Sequence, residues 1–66
     1  MQTIYSSNQL LSICNAEPTQ INICIAQKII NIYNNAKNFY QEDVVSCFKE
    51  FLSSGNLDLA KYNIKF

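Results

Sequence analysis

Residues 21–36 read INICIAQKIINIYNNA, and this stretch decides the fold. Its apolar residues recur every third or fourth position, the spacing that places side chains on one side of a helix. Ile21, Ile25, Ile29, Ile32 and Ala36 form one stripe, and Ile23, Ala26, Ile30 and Tyr33 form a second beside it. At 100° per residue the two span about 200°, roughly twice the stripe that a surface helix ordinarily shows. Gln27, Lys28, Asn31, Asn34 and Asn35 gather on the remaining face. Cys24 lies inside that polar arc, and Asn22 and Lys37 interrupt the apolar one near its ends. β-branched isoleucines also suit a buried strand, but so long a run at helical period argues for a helix. One neighbouring helix cannot cover such an arc, so the stretch calls for several neighbours or a second chain.

Upstream of it, Ser6 and Ser7 are candidate N-caps for a short helix carrying Leu10, Leu11, Ile13 and Cys14. Residues 15–19 break that helix. Pro18 suits the first turn of the next, where its missing N–H is no loss, so the long helix is predicted to start at Pro18 or Thr19. Downstream, residues 34–38 are its natural stop, because asparagine tolerates turns and left-handed backbone. Phe39 and Tyr40 lead into a second amphipathic helix, with Glu42 and Asp43 at the positive end of its dipole. Val44, Val45, Cys47, Phe48, Phe51 and Leu52 fall on one face about 160° wide and are its predicted core. Ser46, Lys49, Glu50, Ser53 and Ser54 take the opposite face, and Gly55 is the expected terminator. Asn56 is a candidate cap for a short closing helix bearing Leu59, Tyr62 and Phe66, although Tyr62, Ile64 and Phe66 also alternate as in a strand. One or two helical turns and then a loose end are expected there. The reading is a single all-α domain over residues 1–66. A short N-terminal helix precedes two amphipathic helices in an antiparallel hairpin, with a short C-terminal helix to follow.

Composition narrows the function. The chain has 66 residues, 48% of them hydrophobic, too apolar for disorder yet too short to hold a thick core. A domain of this size buries only about 60% of its unfolded surface. The five lysines, Lys28, Lys37, Lys49, Lys61 and Lys65, balance five acids, and there is no arginine or histidine. Tight nucleic-acid binding draws on clustered Lys and Arg, so scattered lysines at zero net charge argue against it. The longest uninterrupted apolar run, residues 23–26, is far below the ~20 residues of a membrane span, so membrane insertion is not expected. The first residues lack the basic start and long apolar run of a secretory signal, and cytoplasmic residence is expected.

Cys14, Cys24 and Cys47 form an odd set without C-x-x-C spacing. Disulfide frameworks use even counts and zinc sites use paired ligands, so the cysteines are predicted to be small buried hydrophobes, reduced and without a metal or cofactor. Catalysis lacks the usual means. Glu42 and Asp43 are adjacent and project about 100° apart on a helix, which suits dipole pairing better than a shared proton. No cysteine has a histidine to activate it, and no phosphate-binding or calcium-binding loop is present. The chain is expected not to be an enzyme.

Association remains. The wide arc and thin core favour a homodimer, since a twofold pair covers surplus surface with one self-complementary patch. Ile21, Ile23, Ile25, Ala26, Ile29, Ile30, Ile32 and Tyr33 are therefore the predicted dimer interface or core. Tyr40 and Tyr62 are candidate contacts to a protein partner, because an amphipathic ring at a surface is typical of binding hot spots.

The run IAQKIINIYNNAKNF, residues 25–39, and the run DVVSCFKEFL, residues 43–52, resemble the small two-component-system connector proteins of enterobacteria, the AriR type. In that family a helix of pattern I-x-x-x-I-x-x-I passes through G-K-N or a close variant into a second amphipathic helix. Here Ala36-Lys37-Asn38 takes the place of that turn, with Ala36 where glycine is common, and Ala60, Lys61 and Tyr62 fit the closing part. The likeness covers roughly residues 20–63. It implies an all-α homodimer without enzymatic activity or cofactor. Its partner would be a protein such as a sensor kinase, in a phosphorelay affecting biofilm formation and acid stress. Competing readings are a DNA-associated regulator, a small phage-encoded or antitoxin-like inhibitor, and a redox sensor working through a cysteine.

Overall fold

Each helix boundary has a local cause. The computed structural model describes residues 6–66, and in it the chain forms α1 (Ser7–Ile13), α2 (Gln20–Asn35), α3 (Gln41–Ser54) and a 3-10 turn at Ala60–Tyr62. Ser6 caps α1 by accepting from the Gln9 N–H at 3.3 Å. The helix ends at Asn15, which is left-handed at φ 54°. There the Ala16 N–H reaches back to the Leu11 carbonyl and the Asn15 N–H to Ser12. That pair of bonds is a Schellman stop, satisfying carbonyls the helix would otherwise leave bare.

Thr19 caps α2, its hydroxyl accepting from the Asn22 N–H at 3.2 Å. Pro18 thus precedes the cap instead of sitting in the first turn. The far end departs from expectation too. Ala36 leaves the helix in extended geometry, φ −82° and ψ 151°, and no asparagine of residues 34–38 is left-handed; those that are left-handed are Asn15 and Asn63. Asn35 instead donates its side-chain N–H to the Asn31 carbonyl at 2.7 Å. The Asp43 carboxylate accepts from the Tyr40 N–H at 3.2 Å at the start of α3, and Gly55, at φ 80°, stops that helix.

The core is continuous. Leu10 and Leu11 from α1, Ala26, Ile29 and Ile30 from α2, Phe39 from the link, and Val44, Cys47 and Phe48 from α3 are all buried. α2 packs against both α1 and α3, which places the widest apolar surface in the middle of the structure. The fold is all-α, as its periodicity predicts, with no strand among the described residues.

The segment after α3 is not a loose end, and Asn56 does not cap its turn. The Asn56 N–H is taken by the Ser54 hydroxyl at 3.2 Å, while Asp58 accepts from the Ala60 N–H at 3.2 Å. Past Asn63 the chain runs beside the α2–α3 link. The Lys37 N–H donates to the Lys65 carbonyl at 2.8 Å. The Asn38 amide spans two further main-chain groups, donating to the Asn63 carbonyl at 2.8 Å and accepting from the Lys65 N–H at 2.7 Å. A side chain with one donor and one acceptor in the same plane binds an extended backbone much as a neighbouring strand does.

Candidate functional site

The apolar arc of α2 meets three different environments along its length. In the middle, Ala26, Ile29 and Ile30 are fully enclosed, and Ile25 and Tyr33 are half-buried beside them. Toward the α2 C-terminus, Ile32 is half-buried. It shares an open hollow of about 340 Å³ with Leu59, Ala60, Asn63, Ile64 and Phe66. At the α2 N-terminus no segment returns among the described residues: Ile21 is 68% exposed and Ile23 36%. Ile21 and Ile23 therefore lie outside the core of the single chain. Ile13, at the end of α1, is also 36% exposed, and six residues separate it from the start of α2.

On α3, Val44, Cys47 and Phe48 are buried and Val45 and Phe51 half-buried, but Leu52 is 39% exposed and is not core. The reason is its position near the end of α3, past the last buried residue, Phe48. Phe51 stays covered by lying parallel to Phe48, ring centroids 6.2 Å apart. Of the two tyrosines, Tyr40 is 58% exposed. Tyr62 is half-buried and meets Phe39 edge-to-face at 5.6 Å, a favoured aromatic geometry that ties the closing segment to the link.

The thiols differ from one another. Cys47 is buried as expected, whereas Cys24 is exposed, because the polar arc of α2 holds it facing away from α1 and α3. Burial pushes the Cys47 thiol up to about 11, with Glu50 reinforcing the shift and Lys61 opposing it. Burial raises Cys14 too, against the pull of Lys49. A thiol held above its ordinary value is a poor nucleophile at neutral pH, since the thiolate is the reactive form. Among the described residues no three metal-ligating side chains gather, and no helix is long and apolar enough to cross a membrane.

Charge is used locally. Lys61 pairs with Glu50, and this hydrogen bond raises the lysine above its ordinary value. The Lys61 ammonium also stands 5.5 Å from the centre of the Tyr62 ring. Burial raises Tyr62, with Cys47 adding to it. The Lys61–Glu50 pair and the Tyr62–Cys47 proximity join α3 to the segment that follows it. Asn38, which ties the closing segment to the α2–α3 link, and Leu57 and Ile64, which pack against the core, carried little signal in the sequence. The alternation of Tyr62, Ile64 and Phe66 was the one hint that the segment runs extended against something.

Compared with family models, with curated proteins and with solved structures, the chain matches none.

Proposed function

We propose that this chain is a non-enzymatic regulatory protein that works by association, first with a second copy of itself and then with a protein partner. The observation that carries the reading is the uncovered end of α2, where Ile21 is 68% exposed and Ile23 36% while the rest of the arc is packed. Isolated surface isoleucines are ordinary, but two on the most apolar helix of a chain with so thin a core mark the place where further burial gains most. A twofold pairing there would bury the same residues from both copies. The resemblance over residues 20–63 to connector proteins supports the same reading and points to a sensor kinase of a phosphorelay as the partner, in circuits of biofilm formation and acid stress. Regulation of this kind is stoichiometric: binding shifts a partner between states by differential affinity.

Sedimentation equilibrium from about 1 to 100 μM, a range that brackets micromolar affinities, tests it. A reversible dimer that becomes monomeric in the Ile21→Lys, Ile23→Lys double variant, with helix content unchanged, is the expected result. A monomer over the whole range would sink the self-association.

A further inference from the structure

We infer that residues 57–66 are a releasable strap, a segment docked on the three helices that opens while they stay folded. How it is held argues for this. Its grip on the α2–α3 link consists of the Phe39–Tyr62 ring contact and three hydrogen bonds, one from Lys37 and two through the Asn38 amide, the bonds all to the strap's own main chain at residues 63 and 65. Its apolar side chains, Leu57, Leu59, Tyr62 and Ile64, are only half-buried, and none joins the fully enclosed core. Segments with few buried contacts and solvent-exposed hydrogen bonds open well below the free energy of global unfolding. The hinge is also prepared. Gly55 holds the left-handed turn that ends α3, so the segment leaves the helix through the residue type whose backbone is least restricted.

The strap lies along one edge of α3. Cys47, Glu50 and Ser54 share that edge by helical spacing. Glu50 pairs with Lys61 of the strap, and the Cys47 thiol feels both Lys61 and Asp58. The opposite edge belongs to α1, where the Cys14 thiol approaches the Val45 carbonyl at 4.0 Å. Opening would therefore bare Cys47, Phe39 and Ile32 and leave Cys14 as it was. Ile32 continues the stripe of Ile21 and Ile25. On the association reading above, on which this last consequence rests, the strap sets how much of α2 a second copy can reach.

The test is alkylation of the full chain with iodoacetamide, each cysteine followed by mass spectrometry, comparing the unaltered protein with Asn38→Ala. Losing the two Asn38 bonds is expected to speed Cys47 labelling about tenfold, with Cys14 unchanged and helix content intact. Equal acceleration at both cysteines, or none at Cys47, overturns the strap. Amide exchange on the unaltered chain is an independent check. The Lys37 and Lys65 N–H groups should exchange together and faster than Ile30, and exchange at the Ile30 rate would mean that the segment leaves only when everything unfolds. Sedimentation of Asn38→Ala then separates the two ideas. Tighter self-association supports the link to α2, and faster Cys47 labelling with unchanged association removes that link alone.

Discussion

The two ends of α2 carry the same residue type on the same stripe and meet different surroundings. Ile32 finds Leu59, Ile64 and Phe66 around it because the chain comes back past α2 after α3 has ended. Ile21, three helical turns earlier, finds no returning segment among the described residues and stays 68% exposed. Periodicity assigns a face to a residue, but cover comes from whatever later segment the topology brings across that face. Among the described residues one such segment crosses α2 after α3, and the link at residues 36–40 holds it at the Ile32 end. The surplus apolar surface is thus used up at one end of the helix and left at the other, which is why association is expected at the Ile21 corner.

The sharpest break of this comparison is at the middle of the helix, where both ends' arguments meet. Ile29 is fully enclosed, and Ile29→Ala removes three buried carbons without leaving room for collapse. A loss of about 2–5 kcal/mol is expected from such truncations. Small domains have little more than that in total, so the variant should be largely unfolded at 25 °C by circular dichroism. A variant that keeps a cooperative transition within about 1 kcal/mol of the unaltered chain would mean that α2 is not the centre of the core.

Alkali should loosen the covered end specifically. Cys47 holds its proton up to about 11 when folded, against 9.0 for the free group. An acid whose folded value is raised binds its proton more tightly in the folded state. Its contribution is full below the unfolded value and is lost as pH rises from there toward the folded one. Tyr62 is raised for the same reason, burial, and moves stability the same way. Lys61, raised by Glu50, adds stability that is present below its unfolded value of 10.5 and lost above it. All three lie at the contact between α3 and residues 57–66. A decline on the order of 1–2 kcal/mol between pH 9 and 11 is expected from the Cys47 shift alone, read as a falling urea midpoint. Cys47→Ala should flatten that slope, and an unchanged slope in the variant would assign the loss elsewhere.

How much of this was legible follows the same division. The helices, the cap at Ser6, the stop at Gly55 and the enclosed residues of α3 are all local or periodic, and pattern alone places them, whereas the start of α2 falls one or two residues later than read, with Thr19 as its cap. Leu52 was misplaced because a helical wheel knows the face of a residue and not how far along the helix its neighbours extend. Cys24 was likewise assigned by residue type when its position on the wheel already put it outside. Asn38 could not be read at all. Its sequence neighbours make it a turn residue, and its function is to hold residues 25 and 27 positions away. Such a contact depends on where the chain returns, which no window of sequence contains. The candidate surface was legible in type, an apolar stripe on α2, but not in extent, because its extent is set by residues 57–66.

The smallest expected effect discriminates best between the two ends. Ile32→Ala and Ile21→Ala delete the same atoms from the same helix, so helix propensity changes alike in both, alanine being favoured by a few tenths of a kcal/mol. Only the cover differs. At Ile32 the half-buried side chain packs against the core and lines the hollow shared with Leu59, Ile64 and Phe66, and a cost of about 1–2 kcal/mol should appear in the urea midpoint. At Ile21 there is almost no burial to lose within one chain, so at low micromolar concentration the midpoint should stay within about 0.5 kcal/mol. Raising the protein concentration changes the second expectation and not the first. If copies pair through the Ile21 corner, the unaltered chain gains stability with concentration by mass action, and Ile21→Ala loses that gain while Ile32→Ala keeps it. Equal costs at both positions, independent of concentration, would mean that the two ends of α2 are alike in solution.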